Sequence, residues 1–180
     1  LFLSSARRFS YYTDVLARAS ILRKGAGKST VANFLSSNSE NSFPEYRPTK
    51  GVRILEFEKK DVIGSGTIEI ELWDTSGDHG YAVCWPAIQY RAHGVILMFD
   101  PKIDNHKSEL LFFYQAFVAQ LNLSPRQCLI ITQNQTVNLP NILGKICQIN
   151  GNIEKNGDQL KSEFFKFIDE IIRFATISEE

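Results

Sequence analysis

At 180 residues with 43% hydrophobic content, the chain is long enough to bury one sizeable core and short for two domains. Twenty basic residues balance twenty acidic ones, which excludes a global field that would draw in nucleic acid or an acidic membrane surface and leaves a protein or small ligand as partner. The three cysteines, Cys84, Cys128 and Cys147, are widely spaced in apolar stretches with no Cys-x-x-Cys or Cys-His pairing, so they read as reduced, cytosolic core residues and not as a zinc site.

Residues 1–20 are rich in Ser and Arg, with Asp14 as the only acid, and form a segment apart that has the composition of a transit peptide or of a floppy arm. Residues 21–176 are expected to form the folded domain, and 177–180 a tail. From Val15 to Leu22 the apolar residues are interrupted by Arg18 and Ser20, a poor version of the buried strand that should feed a phosphate loop. A helix is expected from Lys28 through Leu35, followed by a polar loop from Ser36 to Pro48. The apolar run Val52, Ile54, Leu55, Phe57 and the alternation of Ile68, Ile70, Leu72 with Glu69, Glu71 flank Gly64-Ser65-Gly66, which predicts an antiparallel hairpin. Gly94 to Phe99 and Gln127 to Thr132 are short continuous apolar runs, as strands buried on both faces require. Leu110, Tyr114, Phe117 and Leu121 predict a helix between them, and Leu160, Phe164, Phe167, Ile171 and Phe174 predict the last one, both stripes being core. A short strand is expected over Lys145 to Ile149, with a loop from Asn150 to Gly157. The expected fold is therefore α/β, with a mostly parallel six-stranded sheet, one antiparallel edge hairpin and helices on both faces; Gly25-Ala26-Gly27-Lys28-Ser29-Thr30 and Asp74-Thr75-Ser76-Gly77 upon it make it a P-loop NTPase of small-GTPase type. Ligands of such sheets bind at the carboxyl ends of the strands.

Two motifs carry the chemistry. In a full phosphate loop, G-x-x-x-x-G-K-[ST], the second half is present here as Gly25-Ala26-Gly27-Lys28-Ser29-Thr30, while Leu22 occupies the first Gly position. Backbone N–H groups from Gly25 to Ser29 at a helix start would face phosphates, Lys28 would reach the β- and γ-oxygens, and the Ser29 hydroxyl would ligate Mg2+. Downstream, Asp74-Thr75-Ser76-Gly77 places an acid at a strand tip to hold a metal-bound water and a glycine to offer its N–H to a γ-phosphate. Thr49, on the loop ahead of the hairpin, is expected to bring its hydroxyl to the metal, so Ser29, Thr49 and Asp74 form the candidate metal set. Asp78 stands where signalling GTPases usually carry a water-orienting Gln, and a carboxylate beside an anionic phosphate predicts slow hydrolysis at most. His79 is the alternative water-orienting group, weighed against a solvent-exposed histidine. After Ile131 the chain reads Thr132-Gln133-Asn134-Gln135-Thr136, without the acid that reads guanine, so Asn134 is the candidate base contact.

Pro48-Thr49-Lys50-Gly51-Val52-Arg53-Ile54-Leu55-Glu56-Phe57-Glu58, Glu71-Leu72-Trp73-Asp74, Gly77-Asp78, Cys84-Trp85-Pro86-Ala87 and Ala92-His93-Gly94-Val95 together carry a resemblance. They resemble the Rab-like, non-prenylated small GTPases of intraflagellar transport complex B. The resemblance implies binding of GTP/GDP with Mg2+, docking onto a coiled-coil pair of complex B subunits, and action in cilium assembly at the cilium or flagellum and its base. The chain ends Ile177-Ser178-Glu179-Glu180, without a prenylatable Cys, and no apolar run approaches the roughly 20 residues of a membrane span, so no direct membrane anchor is expected. The alternative is a nucleotide-independent pseudo-GTPase that uses Trp85, Pro86 and their neighbours as a partner surface.

Overall fold

The computed structural model describes residues 15–21, 27–36, 49–60, 67–103, 106–133 and 135–177. In chain order they form β1 (Val15–Ile21), α1 (Lys28–Ser36), β2 (Val52–Lys60), β3 (Thr67–Thr75), α2 (Trp85–Gln89), β4 (Gly94–Phe99), α3 (His106–Phe113), β5 (Cys128–Thr132), β6 (Cys147–Asn150) and α4 (Ile153–Ile177). A 3-10 turn, His79–Cys84, leads into α2, and a π-helical segment, Tyr114–Ala119, continues α3.

Among the described residues the strands lie in one sheet in the order β2-β3-β1-β4-β5-β6. β2 pairs antiparallel with β3, and the remaining neighbours pair in parallel. Parallel pairing gathers the carboxyl ends of β1, β3, β4, β5 and β6 on one side of the sheet, which fixes where a ligand crevice can lie. β1 takes a central place despite Arg18 and Ser20, with Ala17 opposite Leu72 on one side and Gly94 on the other. Backbone pairing to two neighbours supplies there what its side-chain pattern lacks. The boundary expected between residues 20 and 21 falls inside this strand.

The sheet separates two apolar clusters. On one face Val31 and Leu35 of α1 pack with Ile70, Leu72 and Met98 and with Phe164 and Ile171 of α4. On the other, Val95, Leu97 and Phe99 meet Leu110, Phe117 and Ile130. β4 thus feeds both faces alternately, as a strand covered on both sides must. The predicted stripe on α4 is core at Leu160, Phe164, Phe167 and Ile171, with Phe174 half-buried.

Three expectations need correction. α4 begins at Ile153, so the loop after β6 is only Gly151–Asn152, and the irregularity expected up to Gly157 is confined to Asn156 (φ −132°, ψ 20°) inside the helix. Asn152 Oδ1 accepts from Lys155 N–H at 3.0 Å and starts the helix early. Of the cysteines only Cys128 is in the core, where burial pushes its thiol up to about 12. Cys84 ends the 3-10 turn and Cys147 opens edge strand β6, and both are exposed. Ile54, read as part of an apolar run, is 45% exposed, because the inward phase of β2 is Leu55 and Phe57.

Candidate functional site

Period-two alternation along β3 puts Ile70, Leu72 and Asp74 on one buried face, so the acid is the last member of an apolar stripe and has no exposed surface. A buried carboxylate requires partners, and the fold brings them from three places. Thr49 Oγ1 donates to Asp74 Oδ2 at 3.2 Å, and Ser29 Oγ, in the first turn of α1, lies 2.8 Å from Thr49 Oγ1. Arg53 Nη2 donates to the same Oδ2 at 3.1 Å and approaches the Ser29 carbonyl oxygen at 3.4 Å. Residues 29, 49 and 74, far apart in the chain, thus meet at one corner, at the carboxyl end of β3.

Two glycines make the geometry possible. Gly51 holds φ at +71°, a left-handed conformation that suits glycine, and its carbonyl accepts from Ser76 N–H at 2.7 Å. That bond ties the segment carrying Thr49 to the loop after Asp74. Gly27 has φ +67° and closes the first turn of α1 by accepting from Val31 N–H at 3.0 Å, while an added Cβ would meet Gln133 Nε2 at 3.0 Å.

Lys28 opens α1, and burial pushes its ammonium below the ordinary 10.5 while the Asp74 carboxylate opposes that shift. A desolvated cation at a helix start is a receptor for anions. The other oxygen of Asp74, Oδ1, is buried without a hydrogen-bond partner among the described residues. That orphaned acceptor beside two hydroxyls fits a hard divalent cation such as Mg2+, which takes oxygen ligands. Among the described residues no cluster of three His, Cys, Asp or Glu side chains occurs, so a metal here would draw its remaining ligands from phosphate and water.

Gly77 and Asp78 follow β3 directly. Asp78 Oδ1 accepts from Gly80 N–H at 2.8 Å, capping the 3-10 turn, and Asp78 N–H reaches Ser76 Oγ at 3.3 Å. The carboxylate in the usual Gln position is thus engaged as a cap. The His79 ring lies against Phe112 (centroids 4.9 Å apart), Phe113 (5.6 Å) and Trp85 (6.1 Å), so this exposed histidine belongs to an aromatic cluster. Thr30 is half-buried on α1. Gly25, Ala26 and Asn134 lie outside the described residues.

A second opening, about 370 Å3, adjoins the first turn of α1 and is lined by Gly27, Thr30, Gln133, Gly151, Asn152 and Glu154 among others. It is bounded by the ends of β5 and β6, which are tied together by Gly151 N–H to Thr132 O (2.7 Å) and Thr132 Oγ1 to Ile149 O (3.1 Å). Sequence reading missed Arg53, Gln133 and Glu154. Arg53 was legible: it stands in phase with inward-facing Leu55 and Phe57, and hairpin register sets it opposite Asp74.

A phosphate-type helix start, a buried acid at a neighbouring strand tip and a hydroxyl-bearing loop between them, on a sheet of this order, define a protein of the small-GTPase class. The family described as "Ras of Complex, Roc, domain of DAPkinase" matches residues 23–136. "Intraflagellar transport protein 22 homolog" of Homo sapiens is 36% identical over 179 residues, covering 92% of this chain and 96% of its own, and that of Danio rerio is 34% identical over 165 residues, covering 86% and 88%. The crystal structure "T. brucei IFT22/74/81 GTP-bound" matches with TM-score 0.61 at 26% identity, over 84% of this chain and 96% of that one. The chain belongs to the intraflagellar transport protein 22 family.

Proposed function

We propose that the chain is a guanine-nucleotide-binding regulatory subunit of the intraflagellar transport train, a switch with slow or no hydrolysis. The observation that carries this reading is the convergence of Ser29, Thr49 and Asp74 beside Lys28. Lys28 and backbone N–H groups of Gly25, Ala26, Gly27, Ser29 and Thr30 hold the phosphates, and Gly77 N–H faces the third phosphate. Ser29 and Thr49 would hold Mg2+ directly and Asp74 through water, and the ion when bound supplies charge screening of the phosphate oxygens. Asp78, capping its own turn, orients no water well, which is why hydrolysis is slow. The relative crystallised as an IFT22/74/81 complex supports other intraflagellar transport subunits as partners; that these are a coiled-coil pair of complex B, acting at the cilium or flagellum and its base, rests on the family resemblance. Exposed Phe112, whose ring meets Trp85 on the helix that follows the Asp78 turn, gives such partners an apolar contact, and Val83 and Tyr90 on either side of α2 are exposed as well. Among the described residues no helix is long and apolar enough to cross a membrane.

The base would occupy the 370 Å3 opening, with Gln133 on its lining, and Asn134 remains the candidate base contact read from the sequence. Glu154 supplies the acid absent after β5: its exposed carboxylate lines the opening and has no hydrogen bond or ion pair among the described residues. A carboxylate accepts from the N1–H and 2-amino group of guanine, whereas an amide suits the 2-oxo group of xanthine. Glu154→Gln is expected to weaken GTP binding and strengthen xanthosine triphosphate binding, shifting their ratio by about tenfold or more. Competition binding with the two nucleotides measures the ratio, and an unchanged value removes Glu154 from base reading.

A further inference from the structure

Three candidate metal-holding groups share a single corner with two cations, the Lys28 ammonium, which interacts with Asp74 through charge, and the Arg53 guanidinium, which bonds to it. Arg53 Nη2 lies 3.1 Å from Asp74 Oδ2 and 3.4 Å from the Ser29 carbonyl oxygen, and Thr49 Oγ1 donates to that same Oδ2. Arg53 meets Asp74 through one bond only: Arg53 Nε and Asp74 Oδ1 are both buried and both lack a hydrogen-bond partner among the described residues. A two-pronged guanidinium–carboxylate pair, whether through Nε or the second Nη, would have engaged Oδ1 as well. The guanidinium therefore charges the corner and fixes one oxygen of Asp74 while leaving the other open.

We propose that Arg53 is a resident cation of the metal corner, a positioning residue that holds Asp74 in register with Ser29 and Thr49 without a divalent ion and so loosens the dependence of nucleotide affinity on Mg2+. The proposal rests on the nucleotide-binding reading above. Two physical effects act in the same direction. With the metal present, a positive charge already on Asp74 weakens the pull of that carboxylate on a second cation. With the metal removed, the guanidinium remains at the first turn of α1, 3.4 Å from the Ser29 carbonyl oxygen, and would take over part of the neutralisation of a phosphate bound there. Both shrink the ratio of GDP affinity in Mg2+ to that in chelator.

Calorimetry of GDP binding with Mg2+ and with EDTA, on wild type, Arg53→Gln and Arg53→Lys, tests this. Gln is neutral and still able to donate to Asp74, and Lys keeps the charge. The affinity ratio is expected to rise about tenfold in Arg53→Gln and to stay near wild type in Arg53→Lys. Equal ratios in wild type and Arg53→Gln overturn the proposal, as does a rise in both variants alike, which would mark a role in packing alone. Should Arg53→Gln not fold, the wild-type arm decides: a fall in GDP affinity of about thirtyfold or more on removing Mg2+ contradicts a resident cation, and a smaller fall upholds it. Wild type that binds GDP in neither condition refutes the nucleotide reading itself and takes this proposal with it.

Discussion

Lys28→Ala is expected to lower guanine-nucleotide affinity by roughly 1.5 to 3 kcal/mol, about 10- to 150-fold, without destabilising the nucleotide-free fold. The loss follows from removing a charge-assisted contact to the phosphates at the start of α1. The unaltered stability follows from the state of Lys28 in the free protein. Burial lowers its pKa, so the charged form is less at ease folded than unfolded, and Asp74 offsets this only in part. Below 10.5 the unfolded chain therefore holds that proton more readily, and the ammonium opposes folding at neutral pH. Its removal relieves that cost. Calorimetric titration with GDP and a urea unfolding curve on the same variant separate the two effects. A variant that keeps its affinity, or loses it only because it unfolds, contradicts the assignment of Lys28 to the phosphates.

Phe164→Ala is expected to have the largest effect on stability, about 3 to 5 kcal/mol, because an aromatic truncation in a packed core loses its transfer energy and leaves a cavity. Phe164 has no exposed surface. Its ring centroid lies 6.2 Å from that of Phe57 on β2, 5.6 Å from Phe165 and 6.5 Å from Phe167, so it joins α4 to the edge hairpin. Lys59 of β2 pairs with Asp169 of α4 beside it, and that half-exposed link cannot replace the lost packing. The urea midpoint should fall with little change in slope. A cost below about 1 kcal/mol would mean that the face formed by α1, α4 and the inner side of the hairpin is not the principal core.

Much of the fold was legible because its periods are clean. Val95, Leu97 and Phe99 against Ile96 and Met98 read as a strand covered on both faces, and the structure feeds the two sets to opposite clusters. Leu160, Phe164, Phe167 and Ile171 read as one face of a helix and are buried together. β1 was least legible because Arg18 and Ser20 break the apolar run, and a central strand with a ladder on each side is held by backbone pairing that side-chain pattern does not report. The early start of α4 was hidden because Asn152, read as loop, caps the helix.

The candidate metal corner was legible at Ser29, Thr49 and Asp74 from motif alone, and at Arg53 only once strand register is added. Ser29, Thr49 and Asp74 were found by motif and do converge. Arg53 needed the register of a hairpin as well as its pattern, since only pairing across strands sets it opposite Asp74. Glu154 is a tertiary neighbour: nothing local links it to Gly27 or Gln133, which reach the same opening from other elements. Asp78 was assigned by position to catalysis, and its side chain is used as a cap, a role that short acids after a bend adopt readily.

The central claim is that this corner binds guanine nucleotides. Its most direct test is calorimetric titration of nucleotide-free protein with GTP, GDP and ATP in Mg2+. Saturable one-to-one binding of GTP and GDP, with ATP at least about tenfold weaker, is the predicted result. Absence of binding by all three would contradict the claim and leave a nucleotide-independent interaction module built on the same sheet.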